Sequence, residues 1–455
     1  MNEAQAGIPP PLPFSPPRIT GRIWTAWALI LIAASVLIVQ SAGYRHRART
    51  QTQLANLQMI VISRYSVGTK LMLEGTSGRS QATLAGMAAS VRESAVTPLD
   101  QFCIIPVVAE LEGRDAGWQA ARQFVRRPPS PDLVIDAKVL EESYAPGAAA
   151  ADAQDLHRLE QRYGWYGELA VSQIDTTDVA ARAAAEFAAK RTVVTGILML
   201  VLTAILLVLG IVLLALFLFP RKGSKLPDRY GPCDPSVADA LLEGFAVYLC
   251  LMAVLATIAS LLPSHHPGMG LLVVVPVLAA LAWLRARGAW GRHLADAIGW
   301  NAGRGFAREI FAGIVGYVAG IPVMAVGMGL ALALARLSST RASHPIEFDI
   351  TTGGWVRVVL IFLACLFAPV TEELMFRGML LRHLTLRWPR MWSAVVVSLV
   401  FAAIHPQGWT AIPLLGGVGL VLALIRIRRG SLVASMTAHA LNNALVLIML
   451  ICVAG

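Results

Sequence analysis

Charge is scarce in this 455-residue sequence: 15% of residues are Asp, Glu, Lys or Arg, against 56% hydrophobic. That leaves too little polar surface to cover a water-soluble globule of this length, which excludes an ordinary soluble enzyme and makes the bilayer the main solvent. Cysteine is sparse as well. Cys103, Cys233, Cys250, Cys365 and Cys452 are scattered with none at metal-ligand spacing, so no disulfide framework or zinc finger is implied. No His-Glu-x-x-His helix occurs. The net charge of +10 and pI near 9.7 do not point to nucleic acid, because the basic residues sit in short loops between apolar runs, where they signal orientation.

What is present is a series of apolar runs with one long polar interruption. Residues 1–22 are a Pro-rich tail, with six prolines from Pro9 to Pro17, expected to be disordered and cytoplasmic. Ile23 to Val39, with Trp24 and Trp27, reads as a signal-anchor transmembrane helix over 23–43. The small residues Ser41-Ala42-Gly43 keep a cleaved signal peptide as the alternative. Over 45–191 charges become frequent and prolines punctuate, as at Pro128-Pro129 and Pro146-Gly147, which reads as one polar, mainly helical domain. In Asp178 to Lys190, Val179, Ala183 and Phe187 share a helical face, and Thr177 or Asp178 can cap that helix as it runs into the next span. This segment has no Gly-rich phosphate loop, paired histidines or nucleophile elbow. It reads as a sensor, scaffold or substrate-presenting module, open to a partner protein.

Eight further apolar segments follow, at approximately 192–219, 239–262, 270–285, 308–335, 356–380, 391–405, 411–427 and 433–452. The expected fold class is therefore all-α: a polytopic transmembrane bundle of about nine spans, with 192–307 as helices and linking loops and 308–455 as a core. The basic groups Arg221-Lys222-Lys225-Arg229, Arg285-Arg287-Arg292-Arg304, Arg382-Arg387-Arg390 and Arg426-Arg428-Arg429 are each separated by two spans, so all four fall on one face. The positive-inside rule makes that face cytoplasmic and places 45–191 outside, in a multi-pass protein of the cell membrane.

Against this apolar background three polar groups recur in the last quarter of the chain: Glu372-Glu373 with Arg377, then His405, then His439 with Asn443. Ionisable residues at membrane depth are costly and by default mark function. On a helix Glu373 and Arg377 lie four apart and can pair, leaving Glu372, about 100° away, for other work. Pro369 removes a backbone hydrogen bond just upstream. Glu372 lies sixteen residues before Trp388 and His405 seventeen after it. An antiparallel hairpin turning at Trp388-Pro389 would put both at one depth, roughly 24 Å from the turn. Phe401 shares the face of His405, and His439 and Asn443 share a face one helix further on. Gly416, Gly417 and Gly419 in the intervening run permit close packing. Taken singly, each group also fits an ion pair, a helix-end histidine or an interhelical polar pair.

Glu372-Glu373-x-x-x-Arg377 with Phe376 and Gly378, Phe401-x-x-x-His405 and His439-x-x-x-Asn443 resemble the three motifs of the CPBP family, the CAAX prenyl endopeptidases and bacteriocin-processing proteins, over approximately 308–452. The resemblance implies an intramembrane endopeptidase acting on membrane-associated or lipidated proteins. It implies that Glu372 and His405 activate water while His439 and Asn443 steady the oxyanion, with Glu373, Arg377 and Phe401 in support. A metal-free site is favoured, since Asn443 is a poor zinc ligand and a good hydrogen-bond donor. Zn²⁺ held by Glu372, His405 and His439 is the alternative. The rival functions are a non-catalytic scaffold or immunity-type protein on the same fold and a proton-coupled transporter.

Overall fold

The structure, a computed structural model, describes residues 21–74, 80–219, 233, 235–261, 274–338, 355–405 and 407–454. The Pro-rich tail to residue 20, the basic group Arg221 to Arg229 and the side chain of Trp24 lie outside the described residues. Every regular element among them is helical, and no strand occurs. The chain divides into two compact units. The described residues of one are 21–46, 209–219, 233, 235–261, 274–338, 355–405 and 407–444, and those of the other are 47–74, 80–208 and 445–454.

The unit formed mainly by 47–208 takes in the later part of α1 (Gly21–Leu73) and then α2 (Ser80–Ser94), α3 (Pro98–Glu112), α4 (Arg114–Arg126), α5 (Val134–Tyr144), α6 (Ala153–Tyr163) and α7 (Trp165–Ile174). Side chains cap the starts of α3 and α6 but not of α4, α5 or α7. Thr97 and Asp100 exchange hydrogen bonds at the start of α3, with Asp100 N donating to Thr97 Oγ1 at 3.1 Å and Thr97 N to the Asp100 carboxylate at 2.9 Å. Asp178, rather than Thr177, accepts from Ala181 N at 2.9 Å and opens α8 (Val179–Leu218), a single helix of 40 residues.

Along α8 the inward face differs from the expected one. Val179 and Phe187 are 75% and 68% exposed, whereas Ala181, Ala185 and Ala189 are buried. The reason is a backbone contact with α1, where a β-carbon at Gly68 would lie 2.4 Å from the Ala189 carbonyl oxygen. Only small side chains fit a seam that tight. The same core buries Glu110 beside Lys70, Gln173 and Arg182, with Arg182 gripping both carboxylate oxygens at 2.9 and 3.1 Å. Burial alone would raise the Glu110 carboxyl, but hydrogen bonds from Arg182 and Gln173 and the charge of Lys70 outweigh it and hold it at about 2.

The other unit contains α9 (Pro235–Leu261), α10 (Val274–Ala286), α11 (Arg292–Ile298) and α12 (Phe306–Ser338). A broken arm, 355–385, follows, and then three more helices. Arg287 pairs at 2.7 Å with the buried Glu243, which also accepts from Trp283 at 3.0 Å. Arg429 takes the buried Glu309 at 2.8 and 2.6 Å. Two arginines that read as orientation signals thus also neutralise buried carboxylates, because a lone buried charge is untenable.

The count of about nine spans is coarser in the structure. Five helices among the described residues are long and apolar enough to cross a membrane: Val179–Leu218, Ser236–Ala259, Phe306–Ser338, Trp409–Arg429 and Leu432–Met449. The apolar stretches Trp27–Ser41, Val274–Ala286 and Arg390–Ala403 are shorter. The run 356–380 is interrupted by the polar cluster itself.

Candidate active site

The arm that carries the two glutamates is not a plain α-helix. It passes from α13 (Trp355–Phe362) through a π-helical turn, Leu363–Phe367, into α14 (Ala368–Glu372), then a π-helical run, Glu373–Leu380, and α15 (Leu381–Thr385). Pro369 accounts for a gap in the first turn. Ala368 N–H bonds the Leu363 carbonyl five residues back, and the same register would pair Ala364 O with the nitrogen of residue 369. Proline has no N–H to give. Asn443 fills the gap, its Nδ2 donating to Ala364 O at 2.9 Å. Wide turns of this kind concentrate at functional sites, where they re-aim side chains.

After the turn at 386–389, α16 (Arg390–Ala403) runs back beside the arm, as the Trp388-Pro389 hairpin requires. Next come α17 (Ile412–Arg429), closed by Gly430 in the left-handed conformation at φ +74°, and α18 (Leu432–Ala454).

Glu373 and Arg377 are fully buried and joined at 2.8 Å. The same Glu373 oxygen meets His439 Nδ1 at 3.1 Å, so one carboxylate holds a residue of the arm and one of α18. Arg377 Nη2 donates to the Gly419 carbonyl of α17 at 3.0 Å, and its guanidinium lies 4.6 Å from the centre of the Phe401 ring of α16. Glycine at 419 is a packing requirement, since a β-carbon there would lie 3.1 Å from Ser398 Cα and 3.3 Å from the Phe401 ring. Of the neighbouring pair, Gly416 has open space around it, and a β-carbon at Gly417 would lie 3.3 Å from the Val323 carbonyl oxygen.

Glu372 points away from this ion pair. Its Oε2 is buried without a hydrogen-bond partner among the described residues and lies 3.7 Å from His439 Nε2. That separation is too long for a direct hydrogen bond and suits a bridging water. His405 stands at the end of α16, with Nδ1 2.5 Å from the Phe401 carbonyl. A carbonyl only accepts, so Nδ1 carries the proton and, in the neutral ring, Nε2 presents its lone pair. The Phe401 ring touches both imidazoles, 4.5 Å from His405 and 5.9 Å from His439, and the Glu372 carboxylate is within coulombic range of His405. His405 and His439 therefore flank one aromatic ring, with Glu372 3.7 Å from His439 and Asn443 one turn beyond His439.

Sequence reasoning missed Gln40. Its side-chain amide, from the first helix, donates to the Ala403 and His405 carbonyls, the latter at 2.9 Å. This clamps the helix end that carries His405. An amide closing an otherwise apolar run was the available signal. Tyr317 of α12, also unmarked in the sequence, reaches Asn442 at 3.5 Å.

As a zinc site the residues fit poorly. His405, His439 and Glu372 each keep one free donor atom, but no three His, Cys, Asp or Glu side chains among the described residues come close enough together to hold an ion.

Residues 354–445 match the model of the type II CAAX prenyl endopeptidases, Rce1-like. This C-terminal region is thus similar to the CAAX-protease family. The matched stretch of the CAAX-protease region holds Glu372, Glu373, Arg377, Phe401, His405, His439 and Asn443, and it includes nothing of 45–191. No curated protein and no solved structure matches the chain.

Proposed function

We propose that the protein is an intramembrane endopeptidase that hydrolyses peptide bonds of membrane-associated or lipidated proteins with a water activated by Glu372 and His405. The observation that carries this reading is the division of labour between adjacent carboxylates. Glu373 is committed to Arg377 and His439, while Glu372 has no Lys or Arg ion pair among the described residues and faces His439 across 3.7 Å. In the proposed reaction Glu372 takes a proton from the water as its oxygen bonds the scissile carbonyl carbon, and His405 Nε2 accepts the water's second hydrogen bond. The carbonyl becomes an oxyanion. The second amide N–H of Asn443 faces it, and His439 Nε2 donates when both ring nitrogens carry protons. Glu372 then passes its proton to the amine as the C–N bond breaks.

This scheme uses no metal and no covalent acyl-enzyme, and no serine or cysteine nucleophile occurs in the three motifs. The protein is read as a multi-pass protein of the cell membrane with 45–191 extracytoplasmic. The test is cleavage of a lipidated peptide by the purified protein in lipid. Activity should survive serine- and cysteine-directed reagents and chelation. Loss with phenanthroline and recovery with Zn²⁺ would overturn the metal-free scheme. His439→Ala and Asn443→Ala should lower kcat more than they raise KM.

A further inference from the structure

Away from the glutamate arm, a groove of about 640 Å³ runs between the end of α8 and helices α12, α16 and α17, within the roughly 300–1,000 Å³ of ligand-sized sites. Along α12 it is lined every fourth residue by Phe311, Val315, Ala319 and Val323, one continuous helical face. From Arg308 to Val323 this face is about 22 Å long. The groove is apolar along this length and cationic at one end. Arg304 and Arg308 flank the start of α12, Arg390 starts α16, and Arg428 and Arg429 end α17.

These arginines are unequally engaged. Arg429 is spent on Glu309, whereas Arg304, Arg308 and Arg428 have no carboxylate partner among the described residues. The Arg428 guanidinium lies over the Phe217 ring at 4.4 Å, at the junction of the apolar wall and the charged rim. Three uncompensated guanidiniums above a hydrocarbon-lined channel call for a ligand with an anionic head and a long apolar tail. A soluble anion would leave the apolar walls uncovered, and a zwitterionic lipid would leave the rim's charge unbalanced.

We propose that this groove binds an anionic phospholipid, with its phosphate among Arg304, Arg308 and Arg428 and one acyl chain laid along α12 toward Val323. Basic pockets between membrane helices recognise anionic headgroups in this way. The site is separate from Glu372 chemistry, so it stands whether or not the peptidase reading does.

The experiment is native mass spectrometry of the full-length protein released from nanodiscs of phosphatidylcholine and phosphatidylglycerol. The wild type should retain phosphatidylglycerol over phosphatidylcholine with a preference on the order of 10–100-fold. The triple variant Arg304→Ala, Arg308→Ala, Arg428→Ala should bring that preference close to one. Val315→Trp, which fills the channel and keeps the rim, should lose retention of both lipids; this variant and Arg308→Ala alone decide the matter if the triple variant does not fold. Equal retention of the two lipids by wild type, or an unchanged preference in a folded triple variant, would overturn the assignment. So would a farnesylated peptide that is retained in the groove while phosphatidylglycerol is not.

Discussion

Removing Arg377 probes the cluster that holds the arm, α16, α17 and α18 together. The guanidinium supplies the 2.8 Å pair with Glu373, the 3.0 Å bond to Gly419 and the cation–π contact with Phe401, all with no solvent exposure. Arg377→Met keeps most of the volume and strips the charge, so Glu373 is left ionised in the core beside His439 and Ser435. Stranding a buried carboxylate costs about 3–5 kcal/mol, and the lost bond to a backbone carbonyl adds about 1.5–3 kcal/mol if it is not replaced by water. These terms overlap, so the expected loss is about 4 kcal/mol. The double variant Glu373→Gln, Arg377→Met removes both charges and should recover at least half of it. Unfolding in mixed micelles, followed by tryptophan fluorescence, measures both. A single variant within about 1 kcal/mol of wild type, or a double variant no better than the single, would refute the buried-pair reasoning.

Three further outcomes follow from the geometry. Glu110 sits at about 2 instead of 4.5 in the folded chain, so its contribution, about 3 kcal/mol, is present above pH 4.5 and lost as pH falls toward 2. The stability gap between wild type and Glu110→Gln should therefore shrink over that window, and a constant gap would contradict the burial of an ionised carboxylate. Gln40→Leu deletes two bonds to the end of α16 and should cost about 1–2 kcal/mol and lower turnover severalfold; unchanged kinetics would remove Gln40 from the site's support. Cys103 is buried, and burial with the nearby Asp100 pushes its thiol up to about 12, so it should resist thiol reagents on either side of the membrane. Ala150→Cys, in an exposed loop, serves instead: labelling in sealed right-side-out vesicles is expected, and labelling only after lysis would reverse the topology.

Much of the cluster was legible in the sequence because helical spacing is rigid. Four residues separate Glu373 from Arg377 and four separate His439 from Asn443, and each pair's positions follow from the period alone. The hairpin at Trp388-Pro389 was legible from a basic turn between apolar runs. The wide turns at 363–367 and 373–380 were not, because a π register leaves no compositional mark; Pro369 showed only that a bond was missing. Which group replaces that bond depends on tertiary approach, and Asn443 does so from 79 residues away. The shared hold of Glu373 on Arg377 and His439 was hidden for the same reason. The inward face of α8 was misread because pattern reasoning puts large apolar residues inside, whereas here a glycine on α1 brings the backbones together and only alanine fits.

The central claim is that Glu372, the carboxylate with no Lys or Arg ion pair among the described residues, is the base that activates water. The direct measurement is the rate of peptide cleavage by purified Glu372→Gln beside wild type, with both shown to be equally folded by thermal unfolding. The amide keeps the size and loses the base, so the rate should fall by about 10²–10⁴-fold with little change in stability. A Glu372→Gln protein that cleaves at the wild-type rate would contradict the account.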